Sequence, residues 1–441
     1  MTHLPMLLEE HDLAGALEWL ETQPPYAIAD EIARMDEVQS VISFRLLDKD
    51  RALEVFEELD PVDQQQILEG LRDQAFRDLV ENLDPDDRAR MLKEAPAKVA
   101  KRVLAGLSAH ERQMTAALLG YPEGSVGRFM TPETVALQQD LTVGEALEVV
   151  RRRGARAETI YTLPVVDRGR RLTGIVELRE LVLSEPTAMV SELVVTEPPR
   201  AMATEPAEDA ARLMRETNVL DLPVVDSEDR LVGLLTSDDA FEVIEAADTE
   251  DVARQAGAEP LERHYMSASV FQLSRTRMMW LLLLLFAATL TVSVNQAFEG
   301  TLESVTQLAL FVPLLIGTGG NTGAQAATAA VRALAVGEVR TSDLIRVIWR
   351  ECRTGLLLGL MLAVVGFAVG AVFVGADLAA VVAITLIVIC TWASTVGGTM
   401  PLLAKKLRID PAVVSAPMVT TLVDATGLVI YFTTAKAVLG I

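Results

Sequence analysis

The sequence predicts a multidomain membrane protein: an α-helical superhelical N domain, an α/β domain repeated in tandem, an acidic connecting helix and a five-helix transmembrane domain. Three observations carry this. Charge is split along the chain, with a net −26 up to residue 272 and +3 from Leu273 onward. Two internal repeats, of periods 24 and 59, precede the split. Five apolar runs follow it, each reaching or approaching the roughly 20 residues that cross a bilayer. So large an acidic excess repels nucleic acid and anionic lipid and gathers cations within about one Debye length, so metal cations are the partner it suggests. Cys352 and Cys390 form no CxxC pair, which gives no basis for a disulfide framework or a thiolate zinc site.

Residues 1–128 read as helices joined by short turns. Leu59-Asp60-Pro61 and Leu83-Asp84-Pro85 lie 24 residues apart, with looser copies at Met35-Asp36-Glu37 and Leu107-Ser108-Ala109. Asp before Pro can cap and start a helix, because Pro at the first helical position sacrifices no hydrogen bond. A two-helix unit this short cannot bury its own apolar face, so the copies are expected to stack as a superhelix, with an ordinary bundle as the alternative. Residues 1–13 are acidic and short of apolar side chains, unlike a signal peptide.

Over residues 129–240 short β-branched runs alternate with helices. Leu163-Pro164-Val165-Val166-Asp167, then Leu172 and Gly174, recurs as Leu222-Pro223-Val224-Val225-Asp226, then Leu231 and Gly233. The repeat resembles a tandem pair of CBS domains, starting near Met130-Thr131-Pro132 and Val190-Ser191-Glu192-Leu193. That resemblance implies an adenine nucleotide in the cleft, gripped by a Ser or Thr and an Asp three residues later. The second copy has Thr236 and Asp239 at these places, and the first has Glu177 and Glu180.

Residues 241–272 connect the two halves. A polar helix is expected over about 237–262, dense in acids: Asp238, Asp239, Glu242, Glu245, Asp248, Glu250 and Asp251. Like charges three and four residues apart destabilise a helix unless something neutralises them. A divalent cation held against another acidic surface would do so, and a solvated acidic face is the alternative.

Residues 273–441 hold the apolar runs 278–294, 305–336, 355–374, 378–403 and 413–439. Basic residues cluster before the first run, between the second and third, and between the fourth and fifth, while the other two loops hold no Lys or Arg. The positive-inside rule then puts the N-terminal domains in the cytoplasm and the C-terminus outside. In the second run, Gly317-Thr318-Gly319-Gly320-Asn321-Thr322-Gly323 lacks the Lys-Ser/Thr ending of a P-loop and reads as a broken or closely packed membrane helix. Residues 401–441 read as one apolar helical span with a carboxylate near its middle, Asp424, bracketed by Pro417 and Gly427. An ionised Asp at bilayer depth costs roughly 3 kcal/mol even on lenient scales, so it points to an ion route, the alternative being a neutral acid bonded to a neighbouring helix.

Taken with Gly319-Gly320-Asn321-Thr322-Gly323, Asp410-Pro411 and Thr421-Leu422-Val423-Asp424-Ala425-Thr426-Gly427-Leu428, the chain resembles the MgtE family of bacterial magnesium channels over essentially its whole length. The resemblance implies a homodimer in the inner membrane, with Asp424 and the Thr420 carbonyl on a central Mg2+ pathway. It further implies cytoplasmic acids that bind Mg2+ and close the pore: Asp239, Glu242, Glu250, Asp251, Glu208, Glu54 and Asp86. ATP at Arg179 and Glu180 belongs to the same implication, weakened by the Glu. Ala416, Ala324 and Arg90 depart from the family pattern. The chemistry agrees, since Mg2+ keeps most of its water and binds through one or two carboxylates. Another divalent ion such as Co2+, or a membrane-anchored metal or nucleotide sensor that conducts nothing, is the competing reading, and no pairing of nucleophile and base suggests an enzyme.

Overall fold

The computed structural model describes residues 4–9, 12–95, 97–261, 265 and 268–441. It divides into two compact units, the first made of Met1–Ala247 with Glu262–Ala268 and the second of Asp248–Leu261 with Ser269–Ile441.

Among the described residues the first unit begins with ten helices: α1 Leu4–Glu9, α2 Leu13–Thr22, α3 Pro25–Ala33, α4 Glu37–Arg45, α5 Lys49–Glu57, α6 Pro61–Gly70, α7 Asp73–Asn82, α8 Pro85–Glu94, α9 Ala97–Gly106 and α10 Ala109–Leu119. From α3 on, each helix packs against the next but one, up to α8 against α10. This is the stacking by which short two-helix units share a continuous core, here built from Ile28, Phe44, Phe56, Ile67, Phe76, Val80 and Met91. Asp36 and Asp48 cap α4 and α5 with their side chains, and Ser108 forms a capping box with Glu111 at α10. Asp60 and Asp84 depart from expectation: they precede the prolines that open α6 and α8, but neither side chain makes a cap bond. The fixed φ of proline starts the helix there, and the Asp84 carboxylate lies with those of Glu57 and Asp87 instead.

Two three-stranded sheets of identical order follow. β1 Leu137–Gln138 runs parallel to β2 Thr162–Val166, which pairs antiparallel with β3 Leu172–Glu177; α11 Val143–Arg153 lies between the first two strands and α12 Leu178–Leu183 follows the third. The second copy repeats this with β4 Ala201–Met202, α13 Ala207–Thr217, β5 Leu222–Val225, β6 Leu231–Leu235 and α14 Ser237–Gln255. The 59-residue period is a structural symmetry. Leu172 N–H donates to Asp229 O and Leu231 N–H to Arg170 O, both at 2.9 Å, so the two hairpins exchange equivalent bonds. Arg170 and Asp229 both take positive φ, 63° and 61°, at the hairpin turns. Asp167 and Asp226 hold those turns by accepting from the amides of Gly169 and Glu228, each at 2.8 Å.

α14 ends earlier than expected, at Gln255, where Gly257 turns the chain with φ 71°; residue 262 lies outside the described residues. In the second unit come α15 Val270–Ala297, α16 Glu299–Ser304, α17 Val312–Ala335, α18 Leu344–Val374, α19 Ala376–Lys406 and α20 Ala416–Leu439. Four helical segments of the described residues are long and apolar enough to cross a membrane: Val270–Ala297, Thr341–Val374, Ala376–Lys406 and Ala416–Leu439. The 24-residue α17, rich in Gly and Thr with Asn321, Gln325 and Arg332, falls outside that set yet packs against α19 and α20.

Of the two readings of the Gly-rich stretch, the closely packed helix holds and the break does not, since α17 is continuous. Its glycines serve close packing, since a Cβ at Gly319 would come 2.5 Å from Ile389 Cγ2 and one at Gly323 would come 3.1 Å from Val419 Cγ1. Nor is 401–441 one span: Pro401 lies inside α19, a 3-10 turn Pro411–Val413 intervenes, and α20 begins afresh at Ala416. Pro417 therefore sits in the first turn of α20, where it frees no interior carbonyl, and Gly427 is helical.

Candidate functional site

On α20, Thr420 and Asp424 lie one turn apart and face α17 at a position that has no side chain. A Cβ at Gly320 would stand 2.7 Å from Thr420 Cγ2 and 3.3 Å from Asp424 Oδ1. The Thr420 hydroxyl donates to the Gly320 carbonyl at 3.4 Å. Asp424 Oδ1 is buried and accepts no hydrogen bond among the described residues. A carboxylate oxygen withdrawn from water without a protein donor is stable only with a proton or beside a cation.

The first unit brings further acids together. Asp86 on α8, Glu158 in the bend before β2, and Asp239 in the first turn of α14 each place a carboxylate oxygen within 4.8 Å of the others. Asp86 and Asp239 are 4% and 8% exposed. The Thr236 hydroxyl donates to Asp239 Oδ2 at 2.8 Å, whereas Asp86 Oδ1 and Glu158 Oε2 are buried without a hydrogen-bond partner among the described residues. Burial, then the neighbouring Asp239 charge, holds Asp86 well above the ordinary carboxylate range and pushes Glu158 up to about 8. Burial likewise raises Asp239 to about 6, with the hydrogen bond to Asp86 pulling the other way. Three acids so close must share protons or a cation. Oxygen donors alone, two of them unsatisfied, suit a hard divalent ion.

A second triad, Glu57, Asp84 and Asp87, lies within the same limit on α5 and α8. Burial and then mutual repulsion raise Glu57 to about 8 and Asp84 to about 6, and burial raises Asp87 as well, with Arg90 pulling the other way. Glu54 is exposed on α5, one turn before Glu57. Glu242 on α14 pairs with Arg90. Glu208 pairs with Arg212 within α13, at 2.8 Å. In the second unit Glu250 pairs with Arg254, which also reaches Asp410 in the turn before α20, and Asp251 is half-buried.

Between the α/β copies lies a cleft of about 620 Å³ whose lining includes Tyr161, Thr162, Ile175, Glu177, Arg179 and Asn218. Arg179 thus faces the cleft, while the exposed Glu180 beside it does not line it. Asp239, expected to grip a nucleotide, is engaged instead in the acid triad.

Glu158, Glu57, Asp84 and Asp87 escaped the sequence reading as ligands. Glu158 lies outside every repeat motif and meets Asp86 and Asp239 only through tertiary packing. The Asp84-Pro85-Asp86-Asp87 run was legible as a helix start rather than as the meeting point of two triads.

Apolar helices around a carboxylate without a protein donor, joined to an α/β pair whose acids converge, define a membrane protein built to handle a cation. Comparisons agree. The divalent cation transporter model of the MgtE family matches residues 312–434, the MgtE intracellular N domain matches 23–124, and CBS domains match 126–184 and 190–246. The chain is 39% identical to the magnesium transporter MgtE of Thermus thermophilus, covering 98% of this chain and 97% of that one. It is 29% identical to the MgtE of Bacillus subtilis, covering 98% and 96%. Its fold is similar to a crystal structure of the cytosolic domain of the Mg2+ channel MgtE in complex with ATP, with TM-score 0.51 and 35% identity over 54% of this chain and 98% of that one. The chain belongs to the MgtE family.

Proposed function

We propose that the protein carries Mg2+ across the bacterial inner membrane as a homodimer, along a route lined by Asp424 and Thr420, and that Mg2+ on the cytoplasmic side closes it. The observation that carries this is the buried Asp424 Oδ1, left without a donor against the bare backbone of Gly320. One Asp from each of two subunits would offer two carboxylates to a hydrated Mg2+ without stripping it. Magnesium is also the ion named for the relatives that match nearly the whole chain.

For closure, Asp86, Glu158 and Asp239 would hold one ion that ties the helical domain to the CBS pair, and Glu57, Asp84 and Asp87 would hold another within the helical domain. Glu242, Glu250, Asp251, Glu208 and Glu54 would add to the attraction for cations rather than complete these triads. On this reading the domains run 1–128, 129–240, 241–272 and 273–441, α17 is the second of five spans, the N-terminus is cytoplasmic and the C-terminus outside. ATP is the ligand for the cleft at Arg179. Basic residues flanking the apolar helices, and the relative solved with ATP, support these parts.

Mg2+ uptake into liposomes holding the full chain tests the reading. Wild type should take up Mg2+, and Asp424→Ala should abolish or sharply reduce uptake while the protein remains folded. Normal uptake by Asp424→Ala would overturn the role of that carboxylate.

A further inference from the structure

We infer that Arg90 is a tethered cation that joins the helical domain to α14 without metal, so that part of the closing contact is present at zero Mg2+. This rests on the gating reading above and refines it. Arg90 lies on α8, the helix that supplies or begins with Asp84, Asp86 and Asp87, the acids of both triads. Its guanidinium donates to Asp87 one turn earlier and, across the domain boundary, to Glu242 on α14. The Arg90 and Asp87 side chains are 21% and 15% exposed, so this pair is partly shielded from water, while Glu242 is more open at 52%. Along one side of α8, therefore, Asp86 reaches Asp239 within a group of three acids, and one turn on Arg90 reaches Glu242 with a cation of its own, whose charge also acts on Asp239.

The two arrangements respond differently to solution conditions. An acid triad holds the domains together only when a divalent ion is bound and repels otherwise. An Arg bridge is always charged, needs no ion, and weakens with salt. Because Arg90 also sits against Asp87, its charge offsets part of the repulsion in the second triad before any Mg2+ arrives. The contact between α8 and α14 should thus be partly formed in chelator, and its Mg2+ dependence should be shallower than triads alone would give.

The test is protease cleavage of the full chain in detergent at the exposed residues 122–124, which join the helical domain to the CBS pair, in EDTA and across a Mg2+ titration. In EDTA at low salt, Arg90→Ala should be cut roughly two- to fivefold faster than wild type, as loss of a partly exposed pair predicts. The difference should vanish at about 1 M KCl, where the Debye length is roughly 3 Å. In Arg90→Ala the Mg2+ midpoint for protection should rise and the curve steepen, and Arg90→Lys should restore part of both. Glu242→Gln, which leaves α8 intact, should give the same faster cleavage in EDTA. Wild-type cleavage in Glu242→Gln, or a difference in Arg90→Ala that salt does not change, would overturn the inference, the second outcome marking a packing role. The cleavage result is independent of transport: no Mg2+ uptake by wild type would sink the transport reading while leaving this one standing.

Discussion

Asp424 and Glu158 are both carboxylates short of donors, but their surroundings assign them different work. Asp424 stands against the backbone of α17, whereas Glu158 stands between two other acids in the first unit. The sign of the pH effect follows for Glu158. Its proton is held more tightly in the folded state, rising from 4.5 to about 8, so the associated stability is complete below pH 4.5 and is lost as pH climbs through about 8. Asp239, from 3.8 to about 6, adds to the loss at the lower end of that window. Besides Asp239 and Asp86, the charges facing Glu158 are Asp84 and Asp238, and Thr131 bonds to it. In EDTA the melting temperature of the full chain should fall by roughly 5 °C or more between pH 5 and 8, saturating Mg2+ should flatten the fall, and Glu158→Gln should remove part of it. A flat melting profile in EDTA would contradict the triad as a site of competing protons and metal. Asp424 was legible in the sequence because an acid in an apolar run is conspicuous by cost alone. Glu158 was not, because nothing local distinguishes it from the many exposed acids, and only the fold brings it to Asp86 and Asp239.

At the scale of elements, the glycines of the second unit set how near its helices come. On α18, a Cβ at Gly359 would lie 2.7 Å from Ile387 Cα and 2.9 Å from Ile387 O, both backbone atoms of α19 that cannot swing aside. Gly359→Val should therefore destabilise the second unit by about 1–3 kcal/mol. Gly300→Ala on α16, with nothing within 4 Å of the new methyl, should be neutral or slightly stabilising. Thermal unfolding in detergent separates them, and equal melting temperatures would refute the close approach of α18 and α19. This is also where the sequence left two readings open. Small residues in an apolar stretch permit either a break in the helix or a tight crossing, and composition cannot choose between them. The structure chooses the crossing, because Gly319, Gly320 and Gly323 meet the side chains of α19 and α20 while α17 keeps its helix. The α/β pair was legible in detail, since a repeated Leu-Pro-Val-Val-Asp fixes strand, turn and period at once.

At the scale of the whole molecule, the central claim is that cations gathered by the acidic first unit control a route for the same cation in the second. Magnitudes make it workable. A site that binds only the closed state adds about 1.4 kcal/mol at ten times its Kd, and moving an equilibrium from 1:99 to 99:1 takes about 5.5 kcal/mol, so about four weak sites suffice. The bridging triad in each of two subunits would supply two, and the triad of the helical domain with the acids of α14 the rest. The most direct test records Mg2+ current in membrane patches against Mg2+ on the cytoplasmic side, for wild type and for the triple variant Asp86→Asn, Glu158→Gln, Asp239→Asn, with the exposed Glu54→Gln as control. Current should persist in the triple variant at Mg2+ concentrations that silence wild type and Glu54→Gln alike, and an inhibition curve unshifted by the three changes would contradict the account.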